Sequence, residues 1–321
     1  MNVRVLVIGC CLLTLLFARP AFAWNNKGHM VVAYVAYQKL DPTVRARADA
    51  LLRLNPFFKR WLEMIPPGVP AADRNLAIFM IAATWPDQIK RSDLAPDYHD
   101  DGTHDGNVPG GPSSSQNVGF ADKLRHKYWH FVDIPFAVPP SLPLQPVITP
   151  NAQERITLFL SVLKSAAADP LKSYDLAWLL HIVGDVHQPL HAAARITSGD
   201  LDGDDGGNGV KITCAPPCQM TRLHSVWDGL LGGQDDVLAA MNTARSLPPP
   251  DATRAAILDE AMWITEGFEL AKTVVYTAPV GAGSGPFTLS PIYNDTARAT
   301  GRAQAALAGA RLAGVLNRDL K

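Results

Sequence analysis

The sequence has 321 residues, with 29 Lys and Arg, 30 Asp and Glu, and a formal net charge of -1. This near-neutral balance excludes a protein that holds duplex nucleic acid through a large positive surface, so any nucleic acid must be bound locally. The length is enough for a substantial core and slightly above the usual size of a single domain, and we predict one domain.

Residues 1–23 have the pattern of a secretory signal peptide. Arg4 gives a positive start, Val5 to Phe17 is nearly all apolar, and Ala21-Phe22-Ala23 is a small-x-small cleavage site. The apolar run is too short to span a membrane, which takes about 20 residues. Lipid attachment at Cys10 is an alternative, but it would leave only an apolar stub. We therefore expect a secreted or periplasmic protein without a membrane anchor, whose mature domain covers residues 24–321.

Apolar residues recur at helical spacing along much of the chain after residue 23. The pattern predicts helices at Val31 to Leu40, Ile156 to Leu163, Leu176 to Val183, Ala255 to Val274 and Ala305 to Leu316. Alternating strand patterns are scarce, so we predict an all-α, mostly helical single domain. Polar stretches at 95–120 and 197–209 predict loops, and Pro-rich stretches at 135–150 and 247–250 predict connections.

A short β-like segment, Gly209 to Thr213, precedes Cys214 and Cys218. The other two of the four cysteines would leave with the signal peptide. In an oxidising compartment a local disulfide is favoured over a metal-binding pair, since no other thiol is nearby. We expect these cysteines to close a small β-hairpin.

Two His–Asp pairs carry the first chemical signal. His181 and Asp185 are four residues apart, as are His224 and Asp228, so each pair shares one face of a helix. One such pair is more often structural, but two pairs together with His191 favour shared cations. Imidazole and carboxylate without thiolate form the ligand set of catalytic zinc, which predicts metal-dependent hydrolysis.

Further candidates are His29, Asp87 in Trp85-Pro86-Asp87, and His130 in Trp129-His130-Phe131-Val132-Asp133. With Trp24 and Gly206-Gly207-Asn208, this ordered set of motifs resembles the S1/P1 nuclease family. The resemblance runs from residue 24 to 228, and the Ala-rich C-terminal helix ending near Asn317 is also similar to the family. It implies a mostly helical fold related to bacterial zinc phospholipase C, with three zinc ions in a cleft.

The resemblance also implies the ligands of each zinc. The first zinc would take Asp87, His130, His181 and Asp185, and the second would take His191, His224 and Asp228. The third would take His29, the shared Asp185, and Trp24 through its α-amino nitrogen and carbonyl oxygen. That amine exists only after signal cleavage, and its pKa of about 7.7 to 8.0 lets it lose a proton more readily than a lysine.

The implied activity is hydrolysis of single-stranded DNA and RNA to 5′-phosphate products, with 3′-nucleotidase activity. Hydroxide between two zinc ions sharing Asp185 would attack phosphorus, with Asp87 as a further catalytic ligand and Lys90 neutralising charge. A solvated surface lysine is the alternative for Lys90. Phe131 would stack on a base whose edge bonds Asp133 and Asn208, as the corresponding family positions do, which favours single strands.

Several alternatives stay open. In the simpler interpretation Phe131 is an ordinary core aromatic. A phospholipase C would use nearly the same zinc ligands, so the ligands alone do not exclude a lipid phosphodiesterase. A zinc-storage protein would instead show closed coordination. His126 and His187 are interpreted as structural, and His99 and His104 as solvated rather than an accessory metal site. The loops at 95–120 and 197–205 look longer than the family pattern, and we expect a monomer with no obligatory protein partner.

Overall fold

The computed structural model describes residues 24–101, 116–216, 218–233 and 236–320. The predicted signal peptide and His104 lie outside these ranges. The described chain is mostly α-helical, as predicted, and none of its helices is long and apolar enough to cross a membrane. The helices are α1 (Asn26–Lys39), α2 (Pro42–Leu52), α3 (Phe58–Glu63), α4 (Arg74–Ala82), α5 (Trp85–Gln88), α6 (Ala152–Lys164), α7 (Asp169–Asp185), α8 (Leu223–Asp228), α9 (Val237–Arg245), α10 (Ala252–Ala255), α11 (Glu260–Leu270) and α12 (Pro291–Asp319).

Side-chain caps begin several helices. The side chains of Asn25, Asn151 and Ser290 accept backbone N–H bonds at the starts of α1, α6 and α12. The prediction of one helix over 255–274 is wrong, because α10 ends at Ala255 and Asp259 caps a new helix. A capping Asp within an apolar pattern begins a helix where periodicity alone suggests continuation. A π-helical turn, Ala271–Val275, follows α11.

Helix α7 lies at the centre of the molecule. It is buried continuously from Lys172 to Asp185 and packs against α1, α2, α5, α6 and α12. Its residue Trp178 meets Trp85 and Trp129 edge-on, with ring centroids 6.0 and 5.0 Å away. Each of these tryptophans closely precedes a predicted ligand in the sequence. The aromatic core therefore fixes the backbone from which those ligands project.

Two small sheets complete the fold. Strands β3 (Lys211–Thr213) and β4 (Met220–Arg222) form the predicted hairpin, and the predicted Cys214–Cys218 disulfide is present. Strands β1 (Ile134–Val138) and β2 (Ala193–Thr197) form a parallel pair that was not predicted. The interpretation of 135–150 as a connection is wrong for residues 135–138, which lie in β1. Proline is tolerated at position 135 because the strand lies at the edge of a two-stranded sheet. This pair holds the segments that follow His130 and His191 side by side.

Candidate metal centre

Eight of the nine predicted ligands converge as three buried groups. Within each group, the potential ligand atoms lie within 4.8 Å of one another. Every member is at most 6% exposed. The His29 group contains His29, Asp87 and His181; the His130 group contains His130, His181 and Asp185; the His191 group contains His191, His224 and Asp228.

Asp185 connects the first two groups because its two oxygens face different histidines. On one side, His29 Nε2 lies 3.3 Å from Oδ1. On the other side, His130 Nδ1 lies 3.0 Å from Oδ2, and His181 Nε2 lies 3.3 Å from the same atom. The predicted one-turn spacing within α7 thus places His181 and Asp185 together, while α1 and the 3-10 turn Lys127–His130 bring the other imidazoles. This carboxylate is positioned to be shared.

Asp87 and Lys90 adjoin the same groups. Asp87 Oδ1 lies 3.7 Å from His181 Nε2 and 2.9 Å from Lys90 Nζ. The side chain of Lys90 is only 8% exposed and lines the cleft described below. The alternative of a solvated surface lysine is therefore excluded, and an ammonium group lies directly beside a predicted ligand.

The His191 group is built from α8 and the 3-10 turn Pro189–His191. His191 Nε2 lies 3.2 Å from His224 Nε2, which lies 3.6 Å from Asp228 Oδ2. The Gln188 amide donates to Asp228 Oδ1 over 2.9 Å, and its oxygen accepts from the backbone of Leu190 at 2.7 Å. Gln188 was not among the predicted site residues, and its contact with Asp228 joins distant segments.

Backbone carbonyls fix the orientation of three imidazoles. The Nδ1–H of His181 donates to the carbonyl oxygen of Ala83, that of His191 to His130, and that of His224 to Gly206, each at 2.7 Å. Because a carbonyl only accepts, the proton of the neutral imidazole lies on Nδ1, and in that form Nε2 keeps a lone pair. Burial lowers the pKa of His181 and of His191 well below its usual range. The rings of His181 and His191 are therefore neutral, as metal ligands must be.

The donor set fits a divalent metal of the zinc type. Asp87 Oδ2 and His130 Nε2 are buried without a hydrogen-bond partner in the described part of the chain. Burial raises the pKa of Asp185 and of Asp228 well above the usual range, because a carboxylate loses water that only a partner of opposite charge can replace. Nitrogen and carboxylate oxygen donors without thiolate are those of catalytic zinc. The three groups could hold metal ions.

Trp24 lies against the same centre. Its indole is fully buried, and Nε1–H donates to the carbonyl oxygen of Gly184 over 3.0 Å. The backbone N–H of Asn25 donates to the carbonyl oxygen of Asp228 at 3.3 Å. The main chain at residue 24 is thus anchored beside the C-terminal ends of two of the ligand-bearing helices, α7 and α8.

A cleft opens beside the His130 and His191 groups. It is lined by all three predicted substrate residues and by two residues that were not predicted, Lys127 and Asp205. Phe131 packs partly against the core and also lines the cleft. The lining residues are Lys90, Lys127, His130, Phe131, Asp133, Leu190, His191, Asp205, Gly206, Asn208 and His224.

The loop that carries Asn208 has an unusual backbone. Asp205, Gly206 and Gly207 have φ values of 52°, 55° and 81°. Glycine is required at 206, because a Cβ there would lie 2.4 Å from the carbonyl oxygen of Leu190. The Asn208 amide donates to the Asp205 carbonyl at 2.9 Å, which turns its oxygen the other way. That oxygen is buried without a partner among the described residues and can accept from a ligand.

The pKa of Asp133 is strongly shifted, and the remaining described histidines lie outside the three groups. Burial, followed by the nearby charges of Asp205 and Asp204, raises the pKa of Asp133 well above its usual range. His126 and His187 lie outside the three groups, His126 between two aspartates and His187 beside Arg311. His99 is exposed and joins Leu124 through an isolated β-bridge.

Comparison with known proteins agrees with this arrangement. The family model described as S1/P1 Nuclease matches residues 24–321. Nuclease S1 of Aspergillus oryzae is 24% identical over 220 residues, which are 67% of this chain and 56% of that protein. Endonuclease 4 of Arabidopsis thaliana is 39% identical over 71 residues, which are 21% of each chain. Each match thus spans less than two thirds of the relative's own length. Because the family model extends over nearly the whole sequence, the chain belongs to the S1/P1 nuclease family.

Proposed function

We propose that this chain is an exported zinc-dependent nuclease that hydrolyses single-stranded DNA and RNA to 5′-phosphate products and also acts as a 3′-nucleotidase. The observation that carries the proposal is Asp185, whose two oxygens face separate sets of neutral imidazoles beside a cleft lined by Phe131. Family membership supports the same activity. Residues 1–23 would be the signal peptide and 24–321 one catalytic domain.

Three zinc ions would be held by the eight converging ligands together with the α-amino nitrogen and carbonyl oxygen of Trp24. The chemistry that zinc supplies when bound is the acidification of water toward neutral pH and the neutralisation of negative charge on a phosphoryl group. Asp185 would be the shared ligand and Asp87 a ligand that also pairs with Lys90. The predicted distribution of ligands among individual zinc ions is part of this proposal.

Lys90 would stabilise the charge that develops during hydrolysis. Its ammonium lies 2.9 Å from Asp87 and lines the cleft, so it can donate hydrogen bonds to a phosphoryl oxygen near the ligands. His181 and His191 cannot serve as proton donors from Nε2, because in the neutral form with Nδ1–H on a backbone carbonyl this atom carries a lone pair. The roles of the imidazoles are therefore to bind and orient.

Binding of the substrate base would fall to Phe131, Asp133 and Asn208. A base stacked on Phe131 gains about 1 to 3 kcal/mol, but only if it is not already stacked in a duplex. The unpaired Asn208 oxygen and the Asp133 carboxyl present acceptors to N–H groups on the base edge. Such an arrangement favours single strands and suits a nucleobase better than a lipid headgroup.

The test is metal analysis of the purified mature protein, combined with assays on single-stranded DNA, single-stranded RNA and phosphatidylcholine. We expect three zinc ions per chain and hydrolysis of both nucleic acids, lost on chelation and restored by zinc. Hydrolysis of phosphatidylcholine alone would replace the nuclease by a phospholipase C. Bound zinc without any hydrolysis would indicate a storage role.

A further inference from the structure

Two lysines line the described part of the cleft, and the function proposed above uses only one of them. Lys90 pairs with Asp87 and thus belongs to the metal centre. Lys127 is the first residue of the 3-10 turn Lys127–His130, and its ammonium pairs with Asp100. The two cations therefore approach the same cleft from different elements and with different partners.

The backbone of Lys127 is held rigidly. The preceding residue, His126, is fully buried, and its ring nitrogens lie 2.7 Å from Asp101 Oδ2 and 2.6 Å from Asp122 Oδ2. Its ring also stacks on Trp129, with centroids 3.5 Å apart. Lys127 thus starts from a fixed point of the cleft wall, so ligand binding by its side chain does not need to order the backbone as well.

The partner of Lys127 can be exchanged. The side chains of Lys127 and Asp100 are 21% and 43% exposed. Exposed ion pairs contribute only about 0 to 1 kcal/mol, so a second anion that enters the cleft can compete for the ammonium. A phosphate oxygen accepts the same kind of charge-assisted hydrogen bond from an ammonium group as the carboxylate of Asp100 does.

We propose that Lys127 forms a second phosphate subsite, which takes the phosphodiester group next to the one being cleaved. This inference rests on the proposed nuclease function. It predicts that the cleft selects substrates with a second phosphate next to the cleaved one. Asp133, Asp205 and the Asn208 oxygen offer acceptors to a base edge, whereas the ammonium groups of the lysines offer donors to phosphates. A substrate with one phosphate can use Lys90 alone. A chain with two or more phosphates can use both.

The test compares a dinucleoside monophosphate with the same molecule carrying one added group, either a phosphate at its 5′ end or a phosphorothioate that resists the proposed 3′-nucleotidase activity at its 3′ end, and follows cleavage of the internal phosphodiester bond. We expect the added group at one end to raise kcat/KM of the zinc-loaded enzyme about tenfold, the size of one charge-assisted hydrogen bond. Lys127→Met keeps the side-chain length without the charge and should reduce this ratio to below about twofold. Lys127→Arg should retain most of it. Each ratio is taken on one enzyme preparation, so differences in folded fraction or zinc content cancel.

Lys123→Met is the matched control, since Lys123 is exposed, lies over the Tyr98 ring and does not line the cleft. Its ratio should equal that of the wild type. A second readout is binding of a fluorescent phosphorothioate oligonucleotide that resists cleavage: the salt dependence, as log Kd against log salt, should lose about 0.7 in slope in Lys127→Met.

An unchanged ratio and slope in Lys127→Met, or a wild type that gains nothing from the added group, would overturn the subsite. A wild type that hydrolyses none of these dinucleotides would instead overturn the proposed function. In that case the slope measured by oligonucleotide binding still decides whether Lys127 contacts a phosphate.

Discussion

Gln188 uses both ends of its amide to join two parts of the metal centre. Its side chain is fully buried, its nitrogen donates to Asp228 Oδ1, and its oxygen accepts from the backbone of Leu190. The first bond leaves Asp228 Oδ2 facing His224, and the second holds the turn that carries His191. Gln188 is thus a positioning residue for the His191 group, in the way that outer partners orient metal ligands.

Replacing Gln188 by Leu should weaken metal binding at the His191 group selectively. The variant removes both hydrogen bonds, so Asp228 can rotate and the turn can shift. Loss of such a partner typically lowers metal affinity by about 10- to 100-fold. Competition with a zinc chelator should therefore show one weakened zinc per chain, and the other zinc ions should bind as in the wild type.

Gln304→Leu is the control for this prediction. Gln304 is equally buried, but it donates to the carbonyl oxygen of His187 and contacts Arg254 rather than a ligand side chain. Its substitution should lower stability by about 1 to 3 kcal/mol without changing zinc affinity. Equal zinc affinities in the wild type and in Gln188→Leu would show that Asp228 is oriented without the amide.

At the scale of residues, what the sequence could predict depended on spacing. His181 with Asp185, and His224 with Asp228, were predictable because helical period alone places them together. The resemblance to the nuclease family added His29, Asp87 and His130. Gln188, Lys127 and Asp205 could not be found, because their significance lies in contacts between distant segments, such as the bond from Gln188 to Asp228 across 40 residues.

At the scale of elements, His126 ties the segment at 99–101 to the turn that carries His130. Its backbone N–H and both ring nitrogens bond the carboxylates of Asp101 and Asp122, with φ at 45° in the left-handed region. Burial lowers the pKa of His126, but its hydrogen bonds to Asp101 and Asp122 outweigh burial and raise it above the usual value. The imidazolium between two carboxylates therefore holds the segments together.

This raised pKa predicts how stability depends on pH. A group with a raised pKa in the folded state stabilises fully below its unfolded value, about 6.5 for histidine, and loses that contribution as pH rises through the folded pKa. The difference in Tm between wild type and His126→Gln, at saturating zinc, should therefore be larger at about pH 5.5 than at about pH 9. Thermal unfolding monitored by circular dichroism measures it.

His99→Gln supplies the comparison for this pH series, because His99 is exposed. Its Tm should stay close to that of the wild type at both values of pH. A difference for His126→Gln that stays constant or grows with pH would show that the neutral form of His126 holds the two segments.

The elements themselves differed in how well they could be predicted. α1, α7 and α12 follow from repeated apolar periodicity, and the hairpin follows from a β-like segment closed by two nearby cysteines. The parallel pair of β1 and β2 could not be predicted, because each strand has only five residues and its partner is far away in the chain. Pro135 made the first strand resemble a connection. This pair nevertheless places Phe131 and Asp133 beside the turn of His191.

At the scale of the whole molecule, Trp24 connects the start of the proposed mature chain to the centre of the fold. Its indole is buried and bonds Gly184, next to Asp185. Gly28 allows this approach, since a Cβ there would lie 2.6 Å from Trp24 Cβ. The main chain at residue 24 therefore cannot move far from the ligands of α7 and α8 without disrupting the core.

Adding one glycine before Trp24 should cost the protein one zinc ion. The addition converts the α-amino group into an amide, whose nitrogen has no lone pair available for a metal, and the anchored indole prevents the new terminus from taking its place. We expect two zinc ions per chain instead of three by elemental analysis, and activity on single-stranded DNA reduced at least about tenfold.

Trp24→Phe, produced with its natural start, separates the amine from the side chain. It keeps the α-amino group but loses the hydrogen bond to Gly184, so it should retain all zinc ions with a lower Tm. Three zinc ions and full activity in the glycine-extended protein would contradict the role of the amine. Loss of one zinc ion in the glycine-extended protein, together with retention of all zinc ions in Trp24→Phe, would instead mean that removal of residues 1–23 creates a metal ligand. The enzyme would then become active only once it is exported.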